Sequence, residues 1–318
     1  MRSVISKVPI PIAGVALGLA ALGNLLQGYS AEVRWLCGGL SALLFALLVL
    51  KIILFPEMIR QDYRNSVLAS VSATIFMTAM QLASYAAPFL GLGAKLLWFA
   101  AVVGHAALIV WFTFTYFRAF RLEQVFPTYF ITYVGIVVAS VTSAALDLTW
   151  LGRGIFWFGF AAYAVMFVLV TVRYRKLPIP EPSKPLFCIY AAPMSLSLAG
   201  YLTVMEHKSL VLVLLMEAAA QVLYLVVLTQ LPKLLKLPFY PSYAAFTFPF
   251  VITAFALQKT VAYLEGLGWT IPGAVFILLA VETAVATLLV FYTVIRYGRF
   301  LLQGRRRTSP DAAEAEAA

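Results

Sequence analysis

Charge is what this sequence has least of. Asp, Glu, Lys and Arg make up 11% of its 318 residues, while apolar residues make up 63%. Soluble domains run at about 45–50% apolar. A soluble fold cannot bury the excess, so the composition indicates an integral membrane protein. Cysteine is nearly absent: Cys37 and Cys188 both stand inside apolar runs. That excludes a disulfide framework and leaves two small, apolar-like side chains. Histidine is as sparse, and His105 and His207 form neither an HExxH motif nor a zinc cluster. The chain also lacks a phosphate-cradling glycine loop and a compact acidic pair for acid–base chemistry. A membrane-embedded enzyme is therefore a poor fit, and no cofactor or metal is expected. Acidic residues are outnumbered 13 to 23, for a net charge of +10. In a soluble protein that balance would suggest nucleic acid. Here the basic residues sit in short loops, where they orient a membrane protein instead.

What is there is a series of ten apolar stretches, at 8–27, 35–55, 67–87, 94–116, 127–146, 150–172, 186–205, 209–231, 242–264 and 271–295. A bilayer span needs about 20 mostly apolar residues. The linkers are short, so residues 1–304 read as one ten-helix transmembrane domain. Residues 305–318, RRTSPDAAEAEAA preceded by one more arginine, read as a disordered cytoplasmic tail anchored at anionic lipid by its arginines. The N-terminus imitates a signal peptide, but Pro9, Pro11 and the spans that follow favour an uncleaved first helix. With ten spans, 18 of the 23 Lys and Arg fall on the side of the two termini, and Arg34, Lys95, Arg153, Lys208 and Lys259 fall toward the other. Positive-inside reasoning places both termini in the cytoplasm of a cell carrying this protein in its cytoplasmic membrane.

Odd and even stretches differ in kind. The odd ones hold Gly14 and Gly18, Thr74 and Thr78, Pro127 and Thr132, Pro193 and Ser195, and Thr247, Pro249 and Thr253; the even ones are mostly bulky apolar residues. Helix breakers and hydroxyls belong against protein or water, and Leu, Val and Phe against lipid. This pattern predicts an all-α fold of five helical hairpins in a quasi-fivefold ring, odd helices lining a central pore. Tight dry packing without a pore is the competing reading of the same small residues. The ninth stretch is the most informative. Pro249 lies inside the run and should bend or break the helix by excluding the carbonyl of Ala245. Phe246, Phe248 and Phe250 crowd the bend, so Phe248 reads as a plug or as packing beside a kink. Phe76 of the third stretch is expected to pack against it. Lys259 either attracts anions at the outer mouth or snorkels to the interface. Glu217 and Glu282 lie in even stretches and suit helix contacts, pairing with Lys259, or a coupling proton. Gln221 shares a face with Glu217, and His105 is expected as a polar contact between helices.

Three segments carry a family resemblance: PIPIAGVALGLAALGN at 9–24, APMSLSLAGYL at 192–202 and AAFTFPFVITAFALQKTVAY at 244–263. They resemble the first, seventh and ninth helices of the tellurite-resistance and dicarboxylate transporter family, which includes the plant slow anion channels. The similarity of layout covers nearly the whole chain. It implies ten helices as five hairpins around a pore, a phenylalanine gate at the position of Phe248, and a homotrimer with one pore per subunit. The substrates it implies are small anions such as chloride or nitrate, or sulfite, or malate-like dicarboxylates. An anion channel follows as the expected function, with a proton-coupled dicarboxylate or sulfite carrier as the alternative.

Overall fold

The structure, a computed structural model, describes residues 2–302, and every regular element among them is helical. The tail expected at 305–318 lies outside the described residues. After the short helix Arg2–Ile5 come α1 (Ile12–Leu26), α2 (Ala31–Leu54), α3 (Ser66–Leu90) and α4 (Leu92–Phe117). Then follow α5, made of Thr128–Tyr133 and Gly135–Leu146, α6 (Thr149–Lys176), α7 (Glu181–Val204), α8 (Leu210–Leu234), α9 (Pro241–Gly266) and α10 (Gly273–Leu302). Eight of these are long and apolar enough to cross a membrane; α1 and the second part of α5 are shorter apolar helices. The expectation of ten full-length spans is met by eight. Proline explains the shortfall. Pro11 sits at the N-cap of α1 and leaves it 15 residues, and Pro127 caps an α5 that breaks again at Val134.

Pro193 and Pro249 start helices, whereas Pro88 and Pro232 stand near the ends of α3 and α8. A first-turn proline costs nothing, because its missing N–H has no partner there. The α-helical part of α7 is Ala192–Val204, with Pro193 in its first turn, preceded by the 3₁₀ stretch Glu181–Ala191. In α9 the sequence predicted a helix bent or broken at Pro249, and it breaks. A 3₁₀ stretch, Pro241–Phe246, ends at Thr247 (φ −103°, ψ −94°), and a new α-helix, Phe248–Gly266, begins with Pro249 in its first turn. The Thr247 hydroxyl lies 2.7 Å from the Ala244 carbonyl and 3.0 Å from the Gly14 carbonyl, donating at the break and tying α9 to α1.

Burial alternates along the chain. The apolar windows of α2, α4, α6, α8 and α10 are 28–33% buried, and those of α3, α7 and α9 are 72–83% buried. In α1 every residue except Asn24 and Leu26 is buried. The exposed faces carry side chains such as Leu43, Ile53, Val103, Leu215 and Leu288, which only an apolar solvent accommodates, so this is a multi-pass membrane protein. The packing follows the same alternation. Helix α1 touches α3 and α9, α3 touches α5, α5 touches α7, and α7 touches α9. Each even helix lies across two odd ones: α2 on α1 and α3, α4 on α3 and α5, α6 on α5 and α7, α8 on α7 and α9, α10 on α9 and α1.

Candidate functional site: a cavity lined by the odd helices

A cavity of about 320 Å³ is lined by residues of α1, α3, α5, α7 and α9 and the turns that lead into them, with no residue from an even helix. Its rim is made by Asn65, Pro182, Ser183, Tyr240 and Ser242, at the end where the connections carry the basic residues. From there each helix descends to its last lining residue: Leu17, Met77, Gly135, Leu196 and, in α9, Phe248 and Pro249. The walls between are apolar, with Val71, Ile131 and Ile189 among them and Thr74 one of the few hydroxyls. Phe248 is buried.

The residues singled out from sequence divide into three groups. Gly14, Pro193, Phe248 and Pro249 line the cavity. Gly18, Thr247 and Thr253 pack helices together beside it. A Cβ on Gly18 would stand 2.5 Å from Thr247 Cβ and 3.1 Å from the Phe248 backbone nitrogen, so α1 approaches the break in α9 as only glycine permits. Thr253 donates to the Pro249 carbonyl at 2.9 Å and meets Ser195 of α7 at 3.1 Å. Other hydroxyls expected against protein or water are used this way: Thr78 donates to the Ala13 carbonyl and Thr132 to the Ser70 carbonyl. Broken helices leave carbonyls free, and in hydrocarbon a neighbouring hydroxyl is the partner at hand. Phe76 is the correction. It is absent from the cavity wall; its ring occupies the space above Gly104 of α4 and faces the His105 ring at 6.1 Å. Helical register explains this, since Thr74 and Met77 take the cavity side of α3 and turn Phe76 toward α4.

Leu17, Met77 and Leu196 went unnoticed in the sequence. Each stands three residues after a small or helix-starting residue that lines the wall, namely Gly14, Thr74 and Pro193. That spacing was the available signal.

Among the described residues, no charged side chain lines the cavity. Its polarity comes from the backbone. The α-helices beginning at Ile12, Ala73, Ala192 and Phe248 present their starts there, since Pro11, Thr74, Pro193, Phe248 and Pro249 are in its wall. A helix start carries roughly half a positive charge, which favours an anion without binding it tightly.

The ionisable candidates lie elsewhere. Glu217 of α8 accepts from Thr260 of α9 at 2.8 Å and from Gln221 at 2.9 Å, a contact between helices. Glu282 of α10 is fully buried, and among the described residues neither carboxyl oxygen has a hydrogen-bond partner. Lys259 pairs with neither carboxylate; its ammonium lies 5.2 Å from the Phe255 ring centroid. His105 is buried with Nε2 2.9 Å from the Thr132 carbonyl, a polar contact between α4 and α5.

Fold and cavity together define a polytopic helical membrane protein with a solute-sized, uncharged space among its most buried helices. The sequence model of the voltage-dependent anion channel family matches residues 7–296, and the chain belongs to that family. Its members are anion channels and transporters, the tellurite-resistance and C4-dicarboxylate transporters included. No curated protein matches the chain.

Proposed function

We propose that this protein conducts small monovalent anions through a pore at the centre of a ten-helix ring, with the five odd helices innermost and Phe248 as the plug. The cavity supports this reading: all five odd helices contribute to it, no charge among the described residues lines it, and Phe248 is in its wall. A neutral ring across a narrow passage blocks by size and by dewetting. The apolar wall also bears on which anion passes. An ion entering it exchanges water for helix-start dipoles and few hydroxyls, and the cost of that exchange grows with the square of its charge. Weakly hydrated monovalent anions such as nitrate fit this wall better than a dicarboxylate, which would find no Arg or Lys to receive either charge. On this reading the protein is a homotrimer in the cytoplasmic membrane with both termini cytoplasmic, and Lys259 faces the outer mouth, where it attracts anions.

The test is current in planar bilayers. Wild type should pass little, and Phe248→Ala should raise the anion-selective current at least about tenfold, the equivalent of roughly 1.4 kcal/mol off the barrier. Silence of both folded proteins would refute the plugged channel. One observation favours a second reading, a proton-linked carrier of sulfite or a C4-dicarboxylate: the buried, unpartnered Glu282. Proton uptake accompanying malate or sulfite into vesicles, and lost in Glu282→Gln, would establish that carrier instead.

A further inference from the structure

The α-helix Phe248–Gly266 is flanked by α1 and α7 and covered by α8 and α10. From Phe248 to Val261 all its residues are buried except Phe255, Gln258 and Lys259. Phe255 and Lys259 follow Phe248 by seven and eleven residues. At 3.6 residues per turn both return to within about 20° of its direction, about 10 and 16 Å further along the axis. One face of α9 therefore carries Phe248, then Phe255, then Lys259. With neighbours on its other sides, the partly exposed Phe255 and Lys259 continue the face on which Phe248 meets the cavity. The ammonium of Lys259 rests 5.2 Å from the Phe255 ring centroid, and among the described residues it forms no ion pair. The nearby carboxylate of Glu217 is engaged by Thr260 and Gln221. One turn on, the Tyr263 hydroxyl donates to the Lys208 carbonyl at 3.1 Å and brings a second lysine to this end of α9.

The distribution of charge gives this arrangement its meaning. Helices α1, α3 and α5 contain no charged residue, and α7 has only Glu181 and Lys184, at its rim end. Between the rim and Glu265, Lys259 is the single fixed charge on the five odd helices.

We propose that Lys259, seated on Phe255 and reinforced by Lys208, is an anion-loading site on the far side of Phe248, for monovalent anions such as chloride and nitrate. The inference rests on the anion-channel reading and adds a direction to it. The basic-loop end offers an anion an uncharged apolar vestibule, and the opposite end offers a fixed positive charge. Loading through Lys259 is from that opposite end, and is strongest at low ionic strength.

The experiment is made in the Phe248→Ala background, in cells where the protein has one orientation. Lys259→Gln should lower anion flux from the far end about threefold or more at ~10 mM salt, where the Debye length is about 30 Å. The deficit should vanish near 1 M, where it is about 3 Å, and Lys259→Arg should retain the flux. For a protein already folded, Lys259→Cys is treated from the far end with thiol reagents of either sign, the native Cys37 and Cys188 being buried. An ethylammonium adduct should restore the current and an ethylsulfonate adduct should suppress it further. No current in the Phe248→Ala background would overturn the channel reading itself. Robust current that ignores Lys259→Gln at low salt, or both reagents, would overturn the loading site and leave the channel standing.

Discussion

Two glutamates in the outer helices should respond to the same substitution with opposite signs. Glu217 makes two hydrogen bonds, to Gln221 and to Thr260 of the neighbouring helix. Replacing it with Leu removes both, each worth about 0.5–1.5 kcal/mol, and strands two donors, so a loss of about 1–3 kcal/mol is expected. Among the described residues Glu282 makes no hydrogen bond of normal geometry, although it is fully buried with the Gln221 amide nearby, and Tyr224 and Thr283 also lack partners for their hydroxyls. A buried polar group without a partner costs about 1–3 kcal/mol. Leu has nearly the same reach and removes that cost, so Glu282→Leu should stabilise by about 1–3 kcal/mol. The assay is the surviving monodisperse fraction of detergent-solubilised protein after heating in steps. The midpoint should rise for Glu282→Leu and fall for Glu217→Leu. If both midpoints fall equally, Glu282 has a partner in the working protein, and the reasoning from its isolation is refuted. The plugged-channel reading adds that both variants keep the anion current released by Phe248→Ala.

Two further outcomes follow from local geometry. Gly18→Ala places a methyl 2.5 Å from Thr247 Cβ and should destabilise by about 1–3 kcal/mol, as overpacking does. Gly39→Ala, with nothing within 4 Å, should not, and heating midpoints compare the two. At the opposite end from the cavity rim, Glu206 in the α7–α8 connection accepts from Arg153, and that hydrogen bond with the guanidinium charge holds its carboxyl below the usual carboxylate range. A lowered folded-state value stabilises above the unfolded value of about 4.3, and the benefit is lost as pH falls through the folded value. Arg153→Gln should therefore unfold slightly earlier than wild type at neutral pH, and the two should converge in acid once Glu206 is protonated.

How much of this was legible in the sequence depends on which forces decide each feature. The inside–outside alternation was legible, because hydroxyls, glycines and prolines cannot face lipid and bulky aliphatic residues can. That rule separated α1, α3, α7 and α9 from their even neighbours as the burial later did. The conformation at Pro249 was legible only as a disturbance. Proline forbids the hydrogen bond to Ala245 whether the helix kinks or ends and restarts. What decides between those outcomes is the approach of Gly14 and Gly18, whose partner Thr247 lies 233 residues from Gly14. Composition of one helix does not contain that contact.

The cavity divides along the same line. Gly14, Pro193, Phe248 and Pro249 reached its wall because small or helix-starting residues must turn to where backbones meet. Phe76 failed for want of a register. One residue of shift in a helix is about 100°, so naming the right helix is not enough to name the right face. Thr74 and Met77 fix α3 with its cavity side away from Phe76, which instead fills the gap over Gly104. The same arithmetic, applied along α9 once Phe248 had a place, carries Phe255 and Lys259 onto the helix face of Phe248. Neither can be placed by type alone, since a lysine near a helix end snorkels as readily as it lines a pore. What bears on the choice is the enclosure of α9 by four neighbours, with the half-buried Lys259 on the same helix face as Phe248.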